Sequence, residues 1–114
     1  MQNENPISWA DFQKIEMRIG TILTAQEFEE ARNPAYKLTI DFGPYGIKKT
    51  SAQITQQYSV DELVGKQIIA VINFPKKQIA TMQSECLVLG CLGDEKTVTL
   101  LQPEKTVENG QRIG

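Results

Sequence analysis

Two adjacent lysines, Lys76 and Lys77, lie in a polar segment, residues 73–85, between two apolar runs. Lysine ammonium groups bind phosphates as mobile point charges, and aromatic or thioether side chains beside them offer a surface for bases or apolar groups. Phe74 and Met82 lie close to the lysines in the sequence. The segment therefore predicts a mixed basic and apolar binding surface. The alternative is that Phe74 belongs to the core and the lysines form a solvated turn.

The chain contains no histidine. This absence excludes Ser-His-Asp and Cys-His catalysis and also histidine-based acid–base chemistry. Cys86 and Cys91 point to opposite faces if they share a strand, which argues against a disulfide between them and predicts two buried free thiols. Without histidine or a CxxC pair, neither a zinc site nor another cofactor is expected. The segment Gly43–Gly46 is typical of a hairpin turn rather than of a phosphate loop. The residues thus predict a binding protein and not an enzyme.

Charge is distributed unevenly along a chain whose formal net charge is −2. Residues 42–84 carry two acidic and five basic side chains, whereas both flanking segments are net acidic. A basic middle in an acidic chain favours a local phosphate-binding patch over indiscriminate nucleic-acid binding. Arg32, Lys37 and Lys49 are candidates to extend this patch, with ordinary surface charge as the alternative. Because adjacent strand residues face opposite ways, at most one of Lys48 and Lys49 can join it.

The length of 114 residues and the 40% hydrophobic content are typical of a single globular domain. We predict one domain over residues 1–114, with a flexible N-terminus over residues 1–7. No apolar run approaches the roughly 18 residues of a membrane helix, so membrane insertion is not expected. The first residues lack the basic and apolar regions of a secretory signal, which predicts a cytoplasmic location.

Local patterns predict about five strands and two short helical pieces. Ser8 and Asp11 have the spacing of a capping box, and Trp9, Phe12 and Ile15 form one apolar stripe on the helix that would follow. Clean alternation predicts a half-buried strand over 36–42, and a second helical turn is expected at 60–65, ending at a glycine. The apolar run 86–92 is predicted as one continuous strand, preceded by a loop over 73–85. Gly20 inside the first strand indicates a bend or a close backbone approach. A chain of this kind is typical of an all-β, five-stranded Greek-key barrel such as the OB-fold.

Several short motifs occur in an order that resembles the tRNA-binding domain family. They are Asp11-Phe12, Arg18–Ile22, Asn33–Leu38, Asn73-Phe-Pro75 and Ser84–Leu89. The resemblance extends from about Trp9 to Gly114. It implies an OB-fold of the kind that is appended to some aminoacyl-tRNA synthetases or stands alone as a homodimer. In such a dimer the N-terminal helix, with Trp9 and Phe12, and the C-terminal tail would lie near the interface. The alternative is that both aromatic side chains simply cover the end of the barrel.

The resemblance also implies that the segment 73–85 contributes to the ligand site. The family typically has Asn, then Pro and basic residues, then Gly, and then Ser-x-Gly-Met. This sequence departs from that pattern at Gln78, at Thr81 and at 85–87. Asn73 and Ser84 could contact a ligand or could shape the loop through its own backbone. The predicted ligand-binding residues are Asn73, Phe74, Lys76, Lys77, Ile79, Met82, Ser84, Arg32, Lys37 and Lys49.

The sequence predicts a polypeptide-binding function first and tRNA binding as its alternative. The stand-alone bacterial members that the whole chain resembles are described as export-related chaperones, which implies binding of exported or unfolded polypeptides near Phe74, Ile79 and Met82. The acidic net charge and Gln78 favour this function. The alternative is a dimer that grips tRNA by shape and phosphate contacts, which the family fold and the basic middle segment favour. Steep weakening by salt would distinguish phosphate binding from apolar peptide binding.

Overall fold

The structure of the protein, a computed structural model, describes residues 5–114. Part of the predicted flexible N-terminus, residues 1–4, lies outside the described residues, and residues 5–7 are exposed. Across the described range, no helix is long and apolar enough to cross a membrane.

Both short helices begin at the same kind of cap. In α1 (Trp9–Gln13), Asp11 N donates to Ser8 Oγ at 3.0 Å and Ser8 N donates to the Asp11 carboxylate at 3.2 Å. The helix α2 (Val60–Leu63) carries the equivalent reciprocal pair with Ser59 as its N-cap. These capping boxes satisfy main-chain N–H groups that the first turn leaves without partners. The predicted apolar stripe is shorter than expected, because α1 ends at Gln13 and Ile15 lies beyond it.

The strands form a five-stranded antiparallel sheet and two small hairpins. The strands are β1 (Met17–Glu27), β2 (Tyr36–Asp41), β3 (Ile47–Ala52), β4 (Gln67–Val71), β5 (Lys77–Ile79), β6 (Met82–Ser84), β7 (Leu87–Val88), β8 (Gly90–Leu92) and β9 (Val98–Leu100). The large sheet has the order β3-β2-β1-β4-β7, while β5 pairs with β6 and β8 pairs with β9. The long β1 pairs with β2 through its second half and with β4 through its first half. This shared strand curls the sheet into a nearly closed barrel, so the predicted OB-type fold is confirmed.

Alternate side chains of these strands build the core. Its buried apolar members are Ile22, Tyr36, Leu38, Ile40, Phe42, Ala52, Ile54, Leu63, Ile68, Ala70, Cys86 and Leu100. Gly20 faces this core, and a Cβ there would lie 2.5 Å from the Ile40 side chain. Of the two predictions for Gly20, the close approach describes this position, because a Cβ there would force the core side chains to shift.

Two predictions about the second half of the chain are wrong. The segment 73–85 contains the β5–β6 hairpin instead of a loop, with Ala80 at φ +48° in its turn. The run 86–92 is not one strand, because the chain pairs with β4 through Val88 and then changes partner to β9 from Gly90 onward. Cys86 is buried as predicted, whereas Cys91 on β8 is exposed.

The C-terminal tail takes over the edge of β1 where β2 has ended. Ile19 N donates to Gln111 O at 3.0 Å, and Gly110 N donates to Ile19 O at 2.7 Å. The Gln67 side chain on β4 also bonds to the tail. Its Nε2 donates to Val107 O, and its Oε1 accepts from Val107 N. The tail is thus hydrogen-bonded along the edge of β1, where Arg18 and Arg112 form an isolated bridge.

Candidate ligand-binding surface

A row of polar side chains crosses the outer face of the barrel. Thr24 and Thr39 pair across β1 and β2, and their hydroxyl oxygens lie 2.6 Å apart. Thr39 pairs in turn with Lys49 of β3. The next segment is joined to β3 by Glu85, whose N–H donates to the Lys49 carbonyl oxygen at 2.8 Å. The row therefore continues from the sheet into the segment that follows the β5–β6 hairpin.

Three lysines line this row, and we call Lys37, Lys49 and Lys76 the lysine cluster. Lys37 and Lys49 share the outer face, because the residues that alternate with them, such as Leu38 and Thr50, are buried. They are diagonal neighbours in the β2–β3 register. Lys76 approaches from the hairpin side. Only the barrel brings these three side chains into one neighbourhood.

The carboxylate of Glu85 joins Lys49 to Lys76. One oxygen accepts a hydrogen bond from Lys49 N at 2.8 Å, and the other lies 3.5 Å from Lys76 Nζ. The bond from the Lys49 main chain is the main cause that lowers the pKa of Glu85, and the Lys76 charge adds to it against partial burial. Glu85 is therefore an anion held between two members of the lysine cluster.

Beneath this row a buried threonine closes the barrel. Thr50 is 1% exposed. Its hydroxyl donates to Cys86 O at 2.7 Å and lies 3.0 Å from Ser84 Oγ. Burial raises the pKa of the Cys86 thiol to about 12, so this cysteine stays protonated in the closed barrel. These hydrogen bonds join β3 to the segment 84–86, and we call this junction the closing seam of the barrel. Ser84, a predicted ligand residue, is part of it.

Asn73 uses its side chain to hold a distant segment. Its Oδ1 accepts from Glu16 N at 3.0 Å, and its Nδ2 donates to Lys14 O at 2.7 Å. The amide fastens the end of β4 to the connection between α1 and β1. Asn73 therefore links two segments of the fold. Shaping the loop through its own backbone was one of the two roles that the sequence left open, and these two bonds go to a different segment instead.

The basic side chains differ in their surroundings, both within the lysine cluster and outside it. Lys37 Nζ lies 5.2 Å from the centre of the buried Phe28 ring, a cation–π contact at the edge of the cluster. Lys48 alternates with Lys49 and is half-buried, which leaves Lys49 as the exposed member of the pair. Lys77 pairs with Ser84 in the hairpin. Arg32 is exposed in the loop that leads to β2, outside the row.

The predicted apolar residues lie in and next to the hairpin. Phe74 is 55% exposed, which excludes the alternative that it belongs to the core. Ile79 and Met82 pair directly across the hairpin and are both half-buried. Directly paired residues of an antiparallel hairpin face the same side, so these two side chains form one small apolar surface.

A second apolar surface lies on the other side of the barrel, around α1. The Trp9 and Phe12 rings are 5.5 Å apart, and Trp9 is 67% exposed, so Trp9 does not cover the end of the barrel. Ile19 and Val71 are buried outside the main core cluster, on the outer face of β1 and β4. Leu87, the partner of Val71 in the next strand, is 49% exposed.

Sequence reasoning did not identify Glu85 or Thr50 as site residues. Glu85 was noted only as a departure from the family motif. Thr50 lies in a polar stretch, although it has the same parity as Ala52 and Ile54, which are buried. That parity was the available signal for an inward-facing hydroxyl group. Within residues 5–114, no group of three or more potential ligands could hold a metal ion.

The fold defines the class of this protein as a small OB-type barrel domain. The sequence model of the family described as "Putative tRNA binding domain" matches residues 17–112. A solved structure of the chaperone CsaA from Bacillus anthracis is 47% identical, with a TM-score of 0.92 and coverage of 96% of this chain and 100% of that one. The CsaA chaperone protein from Picrophilus torridus is 50% identical, with a TM-score of 0.89 and the same coverage.

Part of a much longer enzyme is also similar. The methionine–tRNA ligase of Archaeoglobus fulgidus is 34% identical over 113 residues, which are 99% of this chain and 17% of that ligase. The chain spans less than a fifth of the ligases that it matches. The chain belongs to the tRNA-binding domain family, and it resembles the CsaA proteins over their full length.

Proposed function

We propose that this protein binds RNA of the tRNA class, without catalysis, through the lysine cluster and the β5–β6 hairpin. The observation that carries the proposal is that Lys37 and Lys49 share one outer face of an OB-type barrel and that Glu85 joins Lys49 to Lys76. Ammonium groups on one face can neutralise successive phosphates of a nucleic-acid backbone. The matches to methionine–tRNA ligases and to the tRNA-binding domain family support RNA as the ligand.

The test is a titration with bulk tRNA at low and moderate salt. The variants K76A/K77A and K37A/K49A should weaken binding. Each lost phosphate contact should also reduce the slope of log affinity against log salt by about 0.7–0.9. The matched control K96A/K105A removes two lysines from outside the cluster and should bind like the wild type. Absence of binding by the wild type at low salt would refute the proposal.

Polypeptide binding is the second candidate function. The exposed Phe74 and the half-buried pair Ile79 and Met82 place apolar surface beside the lysines, and the similar CsaA proteins are named chaperones. Flexible methionine side chains adapt to varied apolar groups. An unfolded peptide without net charge should bind with little salt dependence and should lose affinity in F74A but not in K76A/K77A. Steep weakening by salt would contradict this function. A role in protein export and a cytoplasmic location stay predictions from the sequence.

We also propose that the protein acts as a homodimer, with Trp9 and Phe12 at the interface. The exposed Trp9 ring and the outer face around Leu87 offer apolar surface that a second copy would remove from water. Light scattering should give twice the chain mass for the wild type and for F74A, and one chain mass for W9A. A monomeric wild type at micromolar concentration would refute this assembly.

A further inference from the structure

Glu85 occupies the part of the surface where an anionic ligand would bind. Its carboxylate lies between Lys49 and Lys76, and its side chain is 22% exposed while that of Lys76 is 64% exposed. The carboxylate is therefore partly enclosed by the protein, whereas the lysine that it faces can still reach solvent.

The two carboxylate oxygens of Glu85 make different interactions. One replaces a main-chain acceptor, since Lys49 N donates to it while Glu85 N donates back to Lys49 O. A neutral amide oxygen can also accept the bond from Lys49 N, although the bond is stronger to the carboxylate anion, whose pKa it lowers. The other oxygen lies toward Lys76 Nζ at 3.5 Å and interacts with it through charge. A glutamine would keep the first interaction and lose the second.

We propose that Glu85 is an internal competitor of anionic ligands, which holds Lys76 in an ion pair until a polyanion displaces the carboxylate. The inference rests on the proposed phosphate-binding function of the same surface. A ligand with a single phosphate must compete with a carboxylate that is already in place. A polyanion that also binds Lys37 and Lys49 displaces the carboxylate only once while it forms several contacts. Glu85 thus selects for extended polyanions such as an RNA backbone against isolated phosphates.

The variant E85Q tests this role, because it retains the acceptor for Lys49 N. Exposed ion pairs are worth little individually, so E85Q should bind tRNA about two- to fivefold more tightly at low salt. Its salt slope should steepen by at most about 0.7–0.9, since in the wild type the displaced Glu85 carboxylate takes up a cation and so offsets part of the counterion release at the phosphate that Lys76 binds. Thermal unfolding should place E85Q slightly below the wild type, because the neutral amide binds Lys49 N more weakly than the carboxylate, whereas E85A loses the acceptor as well and should be less stable still.

Two controls separate this role from a change in net charge. E104Q removes one negative charge from outside the lysine cluster and should leave affinity unchanged. In a K76Q background, E85Q should lose the steepening of the salt slope, because the lysine that it would release is absent. A purely structural Glu85 would leave the salt slope of E85Q equal to that of the wild type.

The outcomes also separate this inference from the proposed function. Wild-type binding of tRNA with no gain in E85Q would overturn the competitor role alone. Inorganic polyphosphate serves as a second probe. If tRNA does not bind but polyphosphate binds more tightly to E85Q than to the wild type, the competitor role stands and the RNA proposal fails. If neither probe binds to either protein, both are overturned.

Discussion

Replacement of Thr50 by valine should remove hydrogen bonds from the closing seam of the barrel while it preserves the packing there. The threonine hydroxyl, on a side chain that is 1% exposed, donates to Cys86 O at 2.7 Å and contacts Ser84 Oγ at 3.0 Å. Valine fills nearly the same volume but has no hydroxyl group. The substitution therefore leaves buried polar groups with fewer partners, which costs free energy.

The size of the effect follows from the remaining partners. Ser84 Oγ also lies 3.3 Å from Cys86 O, so this carbonyl keeps one donor after the substitution. With one strong bond lost and a weaker one kept, the free energy of unfolding should fall by about 1–2 kcal/mol.

Urea denaturation followed by fluorescence measures this change. The midpoint should fall by about 0.5–1 M for T50V. The control T39V makes the same chemical change in the exposed Thr24–Thr39 pair, and its free energy of unfolding should stay within about 0.5 kcal/mol of the wild type. Equal midpoints for T50V and T39V would show that the buried hydroxyl does not hold the seam.

Three further predictions concern the backbone, the thiols and the acid response. Gly110 and Gly46 both have positive φ, but a Cβ at Gly110 would lie 2.7 Å from a main-chain carbonyl oxygen, whereas none lies near Gly46. Gly46 has φ +86° and ψ −178°, a conformation that is almost exclusive to glycine, so urea denaturation should show a loss of about 1–3 kcal/mol for G46A from the backbone conformation alone, and a clearly larger loss for G110A. A thiol reagent at pH 8 should label Cys91 and spare the buried Cys86, whose pKa is raised to about 12, and denaturation should expose the second thiol. Two labelled thiols per native chain would contradict this burial. Because the pKa of Glu85 is lower in the folded protein, its stabilisation is present above the unfolded pKa near 4.5 and is lost as the pH falls through the folded value. E85Q should consequently lose less stability than the wild type between pH 6 and pH 3, and an equal loss would contradict the lowered pKa.

Several features of the fold were predictable because they are local. The capping boxes at Ser8 and Ser59 need only residues three positions apart, and the alternation from Tyr36 to Asp41 needs only one strand. The β5–β6 hairpin was missed because its three-residue strands are shorter than the window over which alternation is recognisable. The break near Gly90 was missed because an apolar run does not record which strand it pairs with.

The candidate site also contains features that the local sequence predicts and features that only the fold produces. The sequence by itself determined that Lys76 and Lys77 lie in a polar segment between apolar runs, and that no histidine is present for catalysis. Only the tertiary structure decided that Lys49 and Glu85, which are 36 residues apart, are bonded to each other. Their pairing depends on the register in which β3 meets the far edge of the barrel. That register is set by core packing along every strand, and no local pattern contains it.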